Sequence, residues 1–98
     1  LFIQYGQTLI TAKHSQEARD FLKSKIIKYP DNADLYLLLA RAYAQNNQKT
    51  EAYQAKAKAY EIGGHNQHAI VLLQQALKAP KLSTIEQSII RAKIKRLN

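Results

Sequence analysis

Apolar residues recur along this chain at helical intervals, in short blocks broken by polar or turn-forming residues. The breaks predict six helical pieces. The first runs from about Phe2 to Ala12. Ser15 is placed to N-cap a second, which ends before Pro30. Tyr29-Pro30-Asp31-Asn32 reads as a turn carrying cap residues for a third piece, ending near Gln45. Asn46-Asn47-Gln48 is a polar break before the fourth. Gly63-Gly64 then offers the positive φ on which helices end. Asn66 is placed to cap a fifth piece that stops before Pro80, and Ser83-Thr84-Ile85-Glu86 has the form of a capping box opening the sixth. Pieces this short are unstable alone in water. Links of about three to five residues make consecutive helices antiparallel neighbours, so they must stack.

A repeat emerges from the spacing. Ala18 and Ala52 lie 34 residues apart, as do Phe2 and Tyr36, Tyr5 and Leu39, Gly6 and Ala40, and Leu9 and Tyr43. Small residues recur where backbones must approach and large ones where they fill the gap. A 34-residue helix-turn-helix period of this kind resembles the tetratricopeptide repeat (TPR), with Pro30 at the closing-proline position. The expected fold is therefore an all-α, TPR-like solenoid of six antiparallel helices in one domain, residues 1–98.

The next small residue of the series, Ala69, comes only 17 residues after Ala52, half a repeat. Counting back from it puts first-helix positions on Tyr53, Ala57 and Tyr60, inside the fourth piece. Ala52, Ala55, Ala59 and Ile62 share one face of that helix, and Tyr53, Ala57 and Tyr60 share another about 90° away. One helix thus closes the second hairpin and opens the third. The fifth then supplies Ala69, Leu73 and Ala76, and the sixth caps the stack. With Gly6, Ala18, Tyr36, Ala40 and Tyr43, these are the expected repeat-packing residues.

Composition narrows the possibilities. Apolar residues make up 46% of the 98, which is too many for a disordered chain. There is no Cys, which excludes disulfides and Cys-based zinc sites. The longest apolar run, near Leu35 to Ala40, is too short to span a membrane. The chain opens on Leu1 and contains no Met, as expected of a fragment or a processed chain. Fifteen Lys and Arg against seven Asp and Glu give a net charge of +8. Six basic residues and only Glu86 lie from Lys78 onward, so that stretch carries +5. A basic chain points to acidic partners or to a solvated face. Isoleucines between the charges favour the solvated face.

The segment from "ARAYAQNNQKTEAYQAKAKAY" through "EIGGHNQHAIVLLQQALKAP" to the end also resembles the C-terminal TPR region of the BepA-type periplasmic zinc metalloprotease-chaperones. The matching features are Glu51-Ala52, Ala55, Tyr60, Gly63-Gly64, Ala69-Ile70 and Gln75-Ala76-Leu77, followed by Gln87, Ala92, Ile94 and Leu97. Ile89 and Lys93 stand where that family often carries Arg. The resemblance implies a longer parent with a zinc protease domain bearing an HExxH helix, acting in periplasmic quality control of outer-membrane proteins. HExxH is absent here, so zinc belongs to the missing domain and no cofactor is expected in this chain. The implied partners are outer-membrane protein substrates, the assembly machinery, or the parent's own protease domain.

Candidate chemistry is sparse. His65 and His68 are three apart, but zinc needs at least three protein ligands and no third is near in sequence. The serines fall at caps or solvated faces, and no G-x-S-x-G or phosphate loop is present. No catalytic residue and no metal site are expected. The tyrosines could stack nucleic-acid bases, but four of them sit at repeat-packing positions, so nucleic-acid binding rests on charge alone. TPR geometry implies a concave groove lined by first helices: Gln7, Thr11, Leu37, Arg41 and Gln45, then Gln54, Lys58 and Glu61. Arg41 and Lys58 would supply its cations. This set lacks the Lys and Asn pattern of the two-carboxylate clamp of chaperone-binding TPRs. The expected function is a protein-interaction module. The alternative is a stand-alone basic adaptor for nucleic acid or anionic membrane, working through Lys93, Lys95 and Arg96.

Overall fold

The computed structural model describes residues 2–98, and its regular elements are all helices. They are α1 (Phe2–Thr11), α2 (Ser15–Lys28), α3 (Ala33–Gln45), α4 (Lys49–Ile62), α5 (Asn66–Ala76) and α6 (Thr84–Leu97). Each packs on the next, and α1 also packs on α3. The result is the all-α TPR-like stack that the spacing predicts.

Two kinds of turn build it. The first recurs after α1, α3 and α4, always with three linking residues. Its middle residue has positive φ: Lys13 at 63°, Asn47 at 61° and Gly64 at 82°. The residue after it donates its N–H five positions back, His14 to Leu9, Gln48 to Tyr43 and His65 to Tyr60, each at 2.8 Å. A shorter loop accompanies each, Lys13 to Ile10, Asn47 to Ala44 and Gly64 to Glu61. Paired bonds of this pattern are the Schellman motif, which satisfies carbonyls that a helix end leaves open. Helix ends at Thr11, Gln45 and Ile62 are spaced by 34 and then 17 residues. The half-repeat is therefore present in the backbone itself.

This turn corrects two expected caps. Ser15 and Asn66 are the first residues of their helices, and the N-cap positions fall on His14 and His65 without a side-chain cap bond. A Schellman turn delivers the chain straight into the next helix, so the cap lies one residue earlier than the polar residue suggests. The second kind of turn follows a proline and does use side-chain caps. Asn32 Oδ1 accepts from the N–H groups of Asp34 and Leu35. Ser83 and Glu86 form a complete capping box, with Ser83 Oγ accepting from Glu86 N–H at 3.1 Å and Glu86 Oε1 from Ser83 N–H at 3.3 Å.

Two hydrophobic cores meet at α4. Leu22, Leu35, Leu38 and Leu39 fill the first, with Ala18, Ala40 and Ala55. Ile70, Leu73, Ile90 and Leu97 fill the second, with Ala57, Ala69 and Ala76. Tyr43 packs against the first and Tyr60 against the second. Helix α4 thus gives Ala55 to one core and Ala57 and Tyr60 to the other. Gly6 marks another close approach, because a Cβ there would stand 3.1 Å from Leu22 Cδ2. Three positions depart from the expected packing, and one of them, Tyr36, is half-buried and belongs to neither core. Ala52 is only half-buried. Tyr53 keeps 36% of its surface exposed and belongs to neither core. A buried tyrosine hydroxyl needs a partner, and Tyr53 stays where water supplies one.

The two alanines that define the half-repeat should therefore respond differently to enlargement. Ala69, fully buried, has no room for three more carbons, and Ala69→Leu is expected to cost ~1–3 kcal/mol by overpacking. Ala52→Leu should cost much less. The turns give a second expectation. Lys13→Gly relieves a left-handed conformation at a lysine and should stabilise by about 0.5–1 kcal/mol, whereas Gly64→Ala should destabilise by about 1 kcal/mol. Urea midpoints of the four variants check both statements.

Candidate functional site

A cleft of about 390 Å³ lies between α3, α4 and α6. Tyr36, Leu39 and Tyr43 of α3 form one wall. They share a helix face because positions three, four and seven apart align. The floor is α4, from Glu51 through Gln54, Ala55, Ala57 and Lys58 to Glu61. Helix α6 brings Lys93, Arg96 and Leu97 to the other side, and Leu73 of α5 closes the base.

Polar side chains tie α6 across the cleft to α4. Arg96 grips Glu61 with two donors, Nη1 to Oε2 at 2.9 Å and Nη2 to Oε1 at 3.3 Å. Lys58 Nζ stands 3.8 Å from the same carboxylate. The Arg96 hydrogen bonds, supported by the positive charge of Lys58, hold the Glu61 carboxyl below the usual carboxylate range despite partial burial. Lys93 Nζ donates to Gln54 Oε1 at 3.1 Å. Burial, and then the charges of Lys58 and Arg96, push the Lys93 ammonium below the ordinary lysine value. Tyr36 shifts upward, chiefly through burial, with Asp31 and Glu61 adding to it.

The cleft and the expected groove overlap only in part. Gln54, Lys58 and Glu61 line it; Gln7, Thr11, Leu37, Arg41 and Gln45 do not. Leu37 and Arg41 sit about 100° and about 140° round α3 from Tyr36, and both are exposed. Gln7 and Thr11 are exposed on α1, which packs on α2 and α3 and contributes nothing to the cleft. Gln45 has a structural task, its Nε2 donating to the Ile10 carbonyl at 2.9 Å and binding α3 to the end of α1. Tyr36 and Tyr43, expected only as packing residues, present part of their rings to the cleft. Lys93 and Arg96, tail residues by sequence, both line the cleft. The alternation of isoleucine with basic residues in α6 carries the amphipathic signal that could have placed them.

His65 and His68 surround Tyr60 instead of a metal. The Tyr60 and His68 rings stack at 5.2 Å between centroids, and His65 meets Tyr60 edge-on at 6.2 Å. Among the described residues no three His, Asp or Glu side chains converge as metal ligands. No helix among the described residues is long and apolar enough to cross a membrane.

Stacked antiparallel hairpins with a side cleft define a helical repeat protein, and the chain belongs to the tetratricopeptide repeat family, whose profile matches residues 9–59. That match spans the end of α1, all of α2 and α3, and most of α4. Among characterised proteins it is similar to the Beta-barrel assembly-enhancing protease of Escherichia coli K12, and to the proteins of the same name from Shigella flexneri and E. coli O157:H7. Each is 32% identical over 82 residues. The aligned region covers 84% of this chain but only 17% of each relative's length. This chain is an all-helical repeat domain and not a protease domain.

The Glu61 carboxylate gives the cleft a defined pH response. Its folded-state pKa is lowered, so its stabilising contribution is present above the ordinary carboxylate value of 4.5 and is lost as pH falls through the depressed one. Glu61→Gln should lower the melting temperature at neutral pH. The gap from wild type should narrow steadily as pH drops below 4.5. Thermal melts of both proteins across the acid range check this.

Proposed function

We propose that this chain is the interaction module of a protease-chaperone that promotes assembly of outer-membrane β-barrel proteins, and that it docks a protein segment in the cleft between α3, α4 and α6. The observation that carries the docking is the cleft itself, where tyrosine rings and leucines lie beside fixed charges. Such a mixture suits a peptide, with apolar contact for affinity and polar groups for orientation. The walls are pre-organised by two cores and by the Arg96–Glu61 and Lys93–Gln54 links, which lowers the ordering cost of binding. Family membership supports protein partners. The likeness to the Beta-barrel assembly-enhancing protease supports the setting: the periplasm, with a zinc-dependent catalytic domain supplied by sequence outside these residues. Outer-membrane protein substrates, assembly machinery and that catalytic domain are the partners this reading names.

The basic-adaptor alternative draws on net charge only. Two of its three tail residues, Lys93 and Arg96, face the cleft, and Arg96 is paired with Glu61. Less free charge remains for a polyanion than the composition implies. Arg41 lies outside this cleft, so on this reading Lys58 is joined by Lys93 and Arg96 instead.

A photo-crosslinking amino acid at Gln54, in the chain exported to the periplasm of a Gram-negative host, is expected to give discrete adducts with outer-membrane proteins or their assembly factors. The same probe at Ile27, 82% exposed on α2, which contributes nothing to the cleft, should give none of them. Adducts at both positions alike, or at neither, would sink the proposal. Capture should weaken only moderately between low and physiological salt. A polyanion ligand would instead show a steep loss.

A further inference from the structure

Three cations and two carboxylates line the cleft: Lys58, Lys93 and Arg96 against Glu51 and Glu61. Glu61 is engaged by Arg96 and Lys58. Glu51 accepts a bond from Gln48 Nε2 at 3.1 Å. Lys93 is different. It is half-buried, and among the described residues it has no ion-pair partner. One of its three donors meets the neutral oxygen of Gln54. Beside it stand like charges on Lys58 and Arg96, whose repulsion adds to the cost of keeping the ammonium charged and outweighs the attraction of Glu61. An ammonium in that position can receive an anion, with Tyr36, Leu39 and Tyr43 on the opposite wall.

Placement along α4 says what sort of anion fits. Lining residues run from Glu51 to Glu61, ten positions, or about 15 Å at 1.5 Å per residue. An extended segment of four or five residues covers that length. The Lys93–Gln54 pair falls between the ends. Glu51 at one end repels a carboxylate, and at the other Arg96 is already occupied by Glu61. The favoured anion is therefore in the middle of the bound segment, a side chain rather than a chain terminus.

Resting on the reading of this cleft as a protein-docking site, we propose that it selects an extended segment with an internal Asp or Glu beside a large apolar side chain. The carboxylate sits on Lys93, and the apolar group packs on Tyr36, Leu39 and Tyr43. A nucleic acid would also supply anions, but two glutamates in the lining and an apolar wall disfavour a polyanion.

The test is selection from a phage-displayed library of random dodecapeptides on the whole chain. The best peptides are then synthesised with acetylated and amidated ends, and their affinities measured. Enrichment of Asp or Glu next to Phe, Tyr, Leu or Ile is expected, with binding kept after both ends are blocked. Lys93→Gln should weaken the selected peptide roughly tenfold or more, as loss of a charged hydrogen bond does. Lys93→Arg should retain most of the affinity, and Lys95→Gln, outside the cleft, should change nothing. Unaltered melting of Lys93→Gln separates lost binding from lost fold; if it does melt early, displacement of amide NMR signals along α4 and α6 by the peptide, in wild-type protein, decides the site. Peptides without an acidic preference, binding that needs a free C-terminus, or equal affinity for wild type and Lys93→Gln would overturn the proposal. So would displacement of the peptide by a short oligothymidine through Lys93. Peptides that map to another face overturn this inference and leave the module reading standing. A library that yields no binder counts against both.

Discussion

Everything in this fold depends on α4 being narrow. A helix that serves two cores must let neighbours approach on two sides at once, and only small side chains allow that. Ala55, Ala57 and Ala59 are all buried within one turn and a half. They face in directions too different for a single amphipathic stripe. The helix begins as a second helix of one hairpin, following the Asn47 turn, and ends as a first helix of the next, leading into the Gly64 turn. Bulk is kept to Tyr60, which fills the second core near the end. With wider residues at those alanines, α3 and α5 would be pushed apart, and the cleft, whose floor is α4, would lose its shape.

Much of the architecture was legible in the amino-acid order. Gly, Asn and Pro mark the turns, and the 34- and 17-residue intervals between small residues reappear as intervals between helix ends. The two faces of α4 follow from its own residues. What could not be read was which side of the repeats would open into a cleft. Repeat spacing says which positions pack, but a tyrosine can pack with one edge and face solvent with the other. Tyr43 does both, and the face implied by analogy, through Leu37 and Arg41, lies more than a quarter-turn round α3. The contribution of α6 was hidden for another reason. It follows a long link after α5, and only its packing on α5 brings Lys93 to Gln54 and Arg96 to Glu61. Local sequence describes α6 as a basic amphipathic helix and says nothing of which helix its charges meet.

Net charge is correspondingly a poor guide to this molecule. The C-terminal stretch reads as a uniform basic tail, yet its members do different things. Lys95 and Arg96 sit in the last turn of α6, where cations complement the helix dipole. Arg96 also fixes the carboxylate of Glu61, and Lys93 is drawn partly out of water. Elsewhere Lys25 lies over the rings of Phe2 and Phe21, 5.8 and 5.5 Å from their centroids, helping bind α1 to α2. Charges used in these ways set local geometry more than they create a long-range field.

A shared helix also changes how the chain comes apart. In an ordinary array each repeat has its own pair of helices, so terminal units can fray while the rest persists. Here the first core cannot dissolve without exposing Ala55, nor the second without exposing Ala57, two residues on in the same helix. Loss of α4 removes a wall from both. The amides of α4 should therefore exchange with solvent only through global opening, whereas those of α1 and α6, each covered from one direction, exchange through local excursions. The half-repeat couples two small cores into a single cooperative unit, stable at a size where either core alone would be marginal.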